Sequence, residues 1–396
     1  MHLFSVGRQA ESTAKNAKPN QQPAHPSTLS PSSPLAAQCY TCAMKLHLLT
    51  AALLLPILSS AASAAGPPIE LELVTEQGLQ ITAPQQWLQL LAGIGIEQVQ
   101  IRGSRPGDQP QVSTRGSGKS TSYKVVGVLT ARDQLVLPGA TFTKGDRAKL
   151  KDYFAQLGAD GADSVTATRI RFGLTEKELT AVLADLSPPL TFETKGQTPQ
   201  AIVDRLQTKL SLKPTIDQDA AEQLRTAAPM ADELTGISAG TAFAITLRSC
   251  GLVMHPEKER GQPVTYRVSV ASPDTLRQRT RGRPADADLK YWPIGWEPDK
   301  SPGEVAPSLF QPRNAEIDGY SLEEALGAIG PLLKVPLLLD RVALKANHID
   351  PAKIQVKLAK TRTTYKRVID RILSQPHLGS EIRVDEAGMP FLWITR

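Results

Sequence analysis

Aromatic residues are scarce. Phe, Trp and Tyr make up 5% of the 396 residues, which argues against a broad sugar-binding or base-stacking platform. Cysteine is scarcer still: Cys39, Cys42 and Cys250 are the full set. The first two precede a cleavable leader and leave with it, so one thiol remains and no intramolecular disulfide can form. Cys250 falls in an apolar helical pattern and reads as a buried thiol rather than a nucleophile. After the leader, His255, His348 and His377 show no His-x-His or His-Glu-x-x-His spacing, so no metal and no other cofactor is expected. His255 and His377, each beside a proline, read as turn residues in matching loops. Excess charge is small as well. The chain carries +6, but Arg8, Lys15, Lys18 and Lys45 face only Glu11 in the first 64 residues, leaving +3 for the rest. A chain so near balance is not an expected nucleic-acid binder. No apolar run reaches the roughly 20 residues of a bilayer span, so no transmembrane helix is expected once the leader is removed.

What is present begins with that leader. Residues 44–64 hold Lys45, an apolar run from Leu46 to Leu58, and the small-x-small site Ala62-Ser63-Ala64. This is the tripartite pattern of a secretory signal peptide. The mature protein is expected in the periplasm or outside the cell, after cleavage near Ala64. Residues 1–43 are rich in Ser, Pro, Gln and Ala and lack periodicity. They read as an upstream extension, with translation starting at Met44.

The segment 115–121, RGSGKST, ends like a nucleotide-binding P-loop. A P-loop needs glycine five residues before its Gly-Lys-Ser, and that position is Ser113. The SYKVVGVL that follows is strand-like, whereas a phosphate loop should open a helix. A polar loop is the expected structure. No serine nucleophile is expected; Gly116-Ser117-Gly118 reads as a flexible tripeptide.

A first α/β-type domain is expected over 68–188, with strands at 69–75, 97–102 and 122–129. Its helices are expected at 84–92 and 144–157, and from the capping box Thr175-x-x-Glu178 to about Leu186. Residues 103–121 read as loop. The stretch GADGAD at 158–163 contains Asp160 and Asp163, the carboxylates a hydrolase could use, though Gly/Asp turn chemistry is the favoured reading.

An internal repeat follows. Residues 198–224 and 321–347 each show a hydroxyl N-cap (Thr198, Ser321), an amphipathic helix, and a short proline-containing strand. The strand ends in Asp217 or Asp340, and an Ala/Leu-rich helical turn closes the half. Both aspartates read as turn or cap residues. Residues 234–270 and 354–395 each add a strand, a helix from Thr241 or Thr363, and a closing strand or hairpin. The second hairpin turns at Asp385-Glu386-Ala387-Gly388. Alternation through Ile382, Val384, Phe391 and Trp393 predicts one buried face.

SLEEALGAIGPLLKVPLLLD, IQVKLAKTRTTYKRVIDRIL and EIRVDEAGMPFLWIT resemble the secretin and TonB short N-terminal (STN) domain. The resemblance covers 315–396 and, less fully, 194–271. It implies two small STN-like α+β repeats that present sheets and helix faces to partner proteins. The whole chain is also similar to exported proteins of planctomycete-type bacteria. The expected fold class is therefore α+β: an N-terminal α/β-type domain followed by two STN-like repeats.

Between the repeats, 272–314 reads as a Pro/Arg-rich linker. Arg277, Arg279, Arg281 and Arg283 alternate there and could meet a polyanion, with Asp286 and Asp288 diluting the charge. Trp292 and Trp296 are expected to pack on a neighbouring repeat. The expected function is a non-catalytic interaction or scaffold protein of the cell envelope, with an envelope protein as partner. A hydrolase sited in 68–188 and a polyanion binder are the alternatives.

Overall fold

The computed structural model describes residues 67–277 and 289–396. The first sheet forms around β1 (Ile69–Thr75), whose alternate residues Leu71 and Leu73 are buried. A crossover through α1 (Ala83–Ala92) brings β2 (Val99–Gly103) parallel to one side of β1; β4 (Ser122–Leu129) lies parallel on the other. β3 (Gln111–Arg115) and β5 (Leu135–Leu137) pair antiparallel with the first and second halves of β4, and β6 (Ala140–Phe142) pairs with β5. α2 (Arg147–Asp160) covers the sheet with Leu150, Tyr153, Phe154 and Leu157, the face its periodicity predicts. A short α3 (Asp163–Thr166) follows.

β3 corrects the expectation of loop throughout 103–121. Four of its five residues are exposed, so this edge strand carries no apolar alternation to read. Gly118–Ser120 is one 3-10 turn leading into β4, so a strand follows where a phosphate loop would open a helix.

α4 (Glu176–Leu186) opens on the full Thr175/Glu178 capping box. Its buried Leu179, Val182 and Leu186 join the next core rather than the first. That core is built by α5 (Pro199–Lys209), β7 (Pro214–Ile216), α6 (Gln218–Thr226), α7 (Ala239–Ser249), β8 (Leu252–Lys258) and β9 (Val264–Val270). Then come the short α8 (Pro273–Arg277) and α9 (Pro302–Val305). The last segment contains β10 (Pro312–Ser321), α10 (Leu322–Leu333), β11 (Leu337–Leu339), α11 (Arg341–Ala346), β12 (Gln355–Thr364), α12 (Tyr365–Ser374), β13 (Gly379–Val384) and β14 (Pro390–Thr395).

The two later segments share one topology. Their sheets run β7-β9-β8 and β11-β14-β13, with the first pair parallel and the second antiparallel in both. β10 and β12 form a ten-residue ribbon in the second segment. The corresponding place in the first holds a lone bridge, Pro189 to Ser238. Pro188 and Pro189 lack the N–H groups a ladder needs there. The helices expected from Thr241 and Thr363 start elsewhere. Ser238 stands at the N-cap position of α7, without a side-chain cap bond, and Thr364 caps α12, because the extended backbone continues to Thr364 and the apolar run of α7 begins at Ala239.

The expectation of one buried face on the last hairpin is also corrected. In β14, Phe391, Leu392, Trp393 and Ile394 are all buried. Leu392 and Ile394 face α10 and α12; Phe391 and Trp393, with Leu338 of β11, enter the core of the preceding repeat. A strand covered on both faces reads as a continuous apolar run. Two aromatics so placed contribute about 4–6 kcal/mol each by area. Register makes Thr215, Thr265 and Arg267 the counterparts of Leu338, Phe391 and Trp393. The first repeat therefore presents a polar face where the second presents an apolar one. Among the described residues no helix is long and apolar enough to cross a membrane.

Candidate functional site: the seam between the repeats

α7 is where the two repeats meet. Its sequence AGTAFAITLRS is small or apolar nearly all round, and every residue from Ala239 to Leu247 is buried. Such a helix must be enclosed. The first repeat supplies one side, and β11 with the β13–β14 hairpin supplies the other.

At the start of α7 the hairpin tip inserts two carboxylates. Asp385 accepts from the Ser238 amide at 2.8 Å and from the Ala387 and Met389 amides of its own turn. Glu386 accepts from the Thr241 amide at 2.9 Å, the Thr241 hydroxyl at 3.0 Å, the Trp292 indole N–H at 2.7 Å and the Ser238 hydroxyl. A negative charge at a helix N-terminus is favoured by the unpaired amides and the helix dipole. Burial pushes the Glu386 carboxyl above its ordinary value of 4.5; the bonds from Ser238, Trp292 and Thr241 pull it back without cancelling that effect. Gly240 makes the approach possible, since a Cβ there would sit 2.7 Å from the Glu386 carboxyl carbon. Trp292 stacks on Phe172 at 5.5 Å and meets Trp296 edge-on at 5.3 Å.

The other end of α7 is held by Arg248. Its guanidinium grips Asp340 through two bonds of 3.0 and 2.7 Å and donates to the Leu276 carbonyl. Asp340 also caps α11 through the Ala343 amide and accepts from the Thr395 hydroxyl. Its carboxylate is thus saturated. The cap reading of Asp340 agrees with this geometry; Asp217 precedes α6 without a side-chain cap and lies 3.4 Å from Arg267.

Beside this clamp lies a cleft of about 1040 Å³, lined among others by Arg248, Met254, Trp292, Ser380, Arg383 and Trp393. β13 forms one rim. Asp385 donates its amide to Met389, so the hydrogen-bonded pairs with β14 fall at Arg383, Glu381 and Gly379. Val384, Ile382 and Ser380 then turn their N–H and C=O groups away from β14. Val384 finds a partner in Trp296, by bonds of 2.7 and 3.0 Å. Past Trp296 the chain reaches Pro298, which has no N–H to give to a ladder. The outward backbone groups of Ile382 and Ser380 have no partner among the described residues.

No family model matches the chain, and neither a curated protein nor a solved structure does.

The residues singled out from sequence are scattered. Arg277 ends α8, whose Pro273–Leu276 stretch borders the cleft. Arg279, Arg281 and Arg283 lie outside the described residues. Asp160 binds Lys258 at 2.5 Å and the Gly261 amide at 2.9 Å, tying α2 to the β8–β9 turn. Burial works to raise this carboxyl, and those two bonds outweigh it, so it sits below its ordinary value. Asp163 is exposed, 3.8 Å from Lys177. The two do not form a catalytic pair. Cys250 is the half-buried C-cap of α7 rather than an interior residue, and burial raises its thiol pKa despite a bond with Ser249. His255 is on β8, not in a loop, while His377 does occupy a left-handed turn. Among the described residues, no three His, Cys, Asp or Glu side chains gather as a metal ion requires.

One signal was passed over. Gly236-Ile237-Ser238-Ala239-Gly240 spells the Gly-x-Ser-x-Gly of a nucleophile elbow. The geometry differs from an elbow. Ser238 is fully buried, has an ordinary extended backbone, and engages Glu386 rather than a histidine. Gly240 serves close packing while Gly236 takes a left-handed turn (φ 87°), and the same pentapeptide marks the seam.

Proposed function

We propose that the mature chain is an exported, non-catalytic interaction or scaffold protein of the cell envelope, built on two STN-like modules and bound to an envelope protein. The observation that carries this reading is where the buried carboxylates go. Asp160, Asp340, Asp385 and Glu386 are each consumed in contacts that lock one unit to the next. A hydrolase needs a carboxylate with a reacting atom in reach; here the same groups build a stiff body with a concave seam. Export rests on the leader at 44–64.

The test is co-purification of tagged protein from the native envelope, alongside a truncation lacking 315–396. A stoichiometric envelope protein that is lost with the truncation is the expected result. A full-length protein that purifies alone, or that hydrolyses an envelope polymer, overturns the reading. N-terminal sequencing of the same sample checks export: the mature chain should begin near Gly66, and a peptide from 1–43 would refute the upstream-extension reading.

A further inference from the structure

We infer that the β13 edge is a strand-addition site. A segment of a partner protein in extended conformation pairs with the outward backbone groups of Ile382 and Ser380, lying along the rim of the seam cleft. This deepens the interaction reading above and rests on it.

Three observations converge. Among the described residues, the edge has unpaired donors and acceptors at two alternate residues, the spacing an added strand requires. The molecule already uses the same edge, since Trp296 pairs with Val384 through a single bridge. The rim is also concave rather than a bare flank. Gly379, Ser380 and Glu381 line a cleft large enough to take the side chains on one side of an added strand. The occupant is defined by its main chain: an extended polypeptide with no proline where it faces Ile382 or Ser380. Recognition of this kind tolerates sequence variation and rejects N-alkylated backbone. Lys290, exposed on the cleft wall, favours an acidic side chain on the strand's cleft-facing side.

The experiment uses the mature full-length protein as bait for a phage-displayed library of short linear peptides. The best recovered peptide is then resynthesised. Binding should fall about tenfold or more in Ile382→Pro or Ser380→Pro, each of which removes one outward N–H and none of the β13–β14 bonds. N-methylation of alternate peptide residues should abolish binding in one parity and spare it in the other. Amide exchange on the unsubstituted protein gives a readout that does not depend on a variant folding. Ser380 and Ile382 should exchange fast when the protein is alone and slow when the peptide is present, while Glu381 and Arg383 are slow in both. Failure to recover any peptide overturns the proposal. So does a peptide whose binding ignores the edge prolines or protects amides elsewhere, although that outcome leaves the interaction reading standing.

Discussion

Glu386 shows how one side chain can set the behaviour of a junction. Four donors converge on its two oxygens, and burial still holds its carboxyl above 4.5. The folded state thus keeps the proton at a pH where the unfolded chain has released it. The resulting stability is fully present below pH 4.5 and is lost as pH rises through the folded value. Urea titrations across that range should show the wild type losing stability relative to Glu386→Gln as pH increases, and a constant difference would contradict this. Glu386→Ala should cost about 2–4 kcal/mol near neutrality, because the Thr241 amide and the Trp292 indole lose their acceptor. Little of this was legible in the sequence. Asp385-Glu386 reads as a hairpin turn, which it is, but turn chemistry says nothing about a contact made with residues some 145 positions earlier.

Elements defined by their own periodicity were legible: α2 and α4 have the buried faces and the cap their sequences predict. Elements defined by a neighbour were not. β3 is too exposed to alternate, and β14 is buried on both faces because a second repeat covers it. α7 belongs to this second kind. Its start could have been placed at Ser238 from the Gly-x-Ser-x-Gly spelling, whose small residues mark close approach rather than catalysis. Gly240→Ala is the direct check. The added methyl would meet the Glu386 carboxyl carbon at 2.7 Å and Leu186 Cβ at 3.0 Å. The cost of overpacking should outweigh the gain in helix propensity, for a net loss of about 1–3 kcal/mol. Thermal melts would show it, and a stabilised variant would mean the hairpin tip is not seated on α7.

Across the whole molecule the packing is serial. The β8–β9 turn holds α2 through Asp160, and the β13–β14 turn holds α7 through Asp385 and Glu386. The basic turn meets a helix C-terminus and the acidic turn a helix N-terminus, each the favourable sense of the dipole. Phe391 and Trp393 then place the last sheet inside the core of the repeat before it. Unfolding of residues 67–396 should accordingly be one cooperative transition. Trp393→Ala, at about 3–5 kcal/mol, should separate the melting of the last repeat from the rest. A variant that still unfolds in one step, merely shifted, would place the coupling elsewhere.

The contrast between the outer faces of the two sheets has a consequence for assembly between molecules. Modules that dock sheet to helix in a line can in principle keep adding across chain boundaries and grow into fibres, since a head-to-tail contact has no built-in closure. Thr215, Thr265 and Arg267 lack the apolar surface such a contact needs: where the last sheet offers Leu338, Phe391 and Trp393, the first offers hydroxyls and a cation. Thr265→Phe combined with Arg267→Trp would supply that surface. Sedimentation should then show oligomers growing with concentration, whereas a variant that sediments like wild type would assign the limit to some other surface. On this view, the polar residues around Arg267 limit the stacking of two segments that share one strand order.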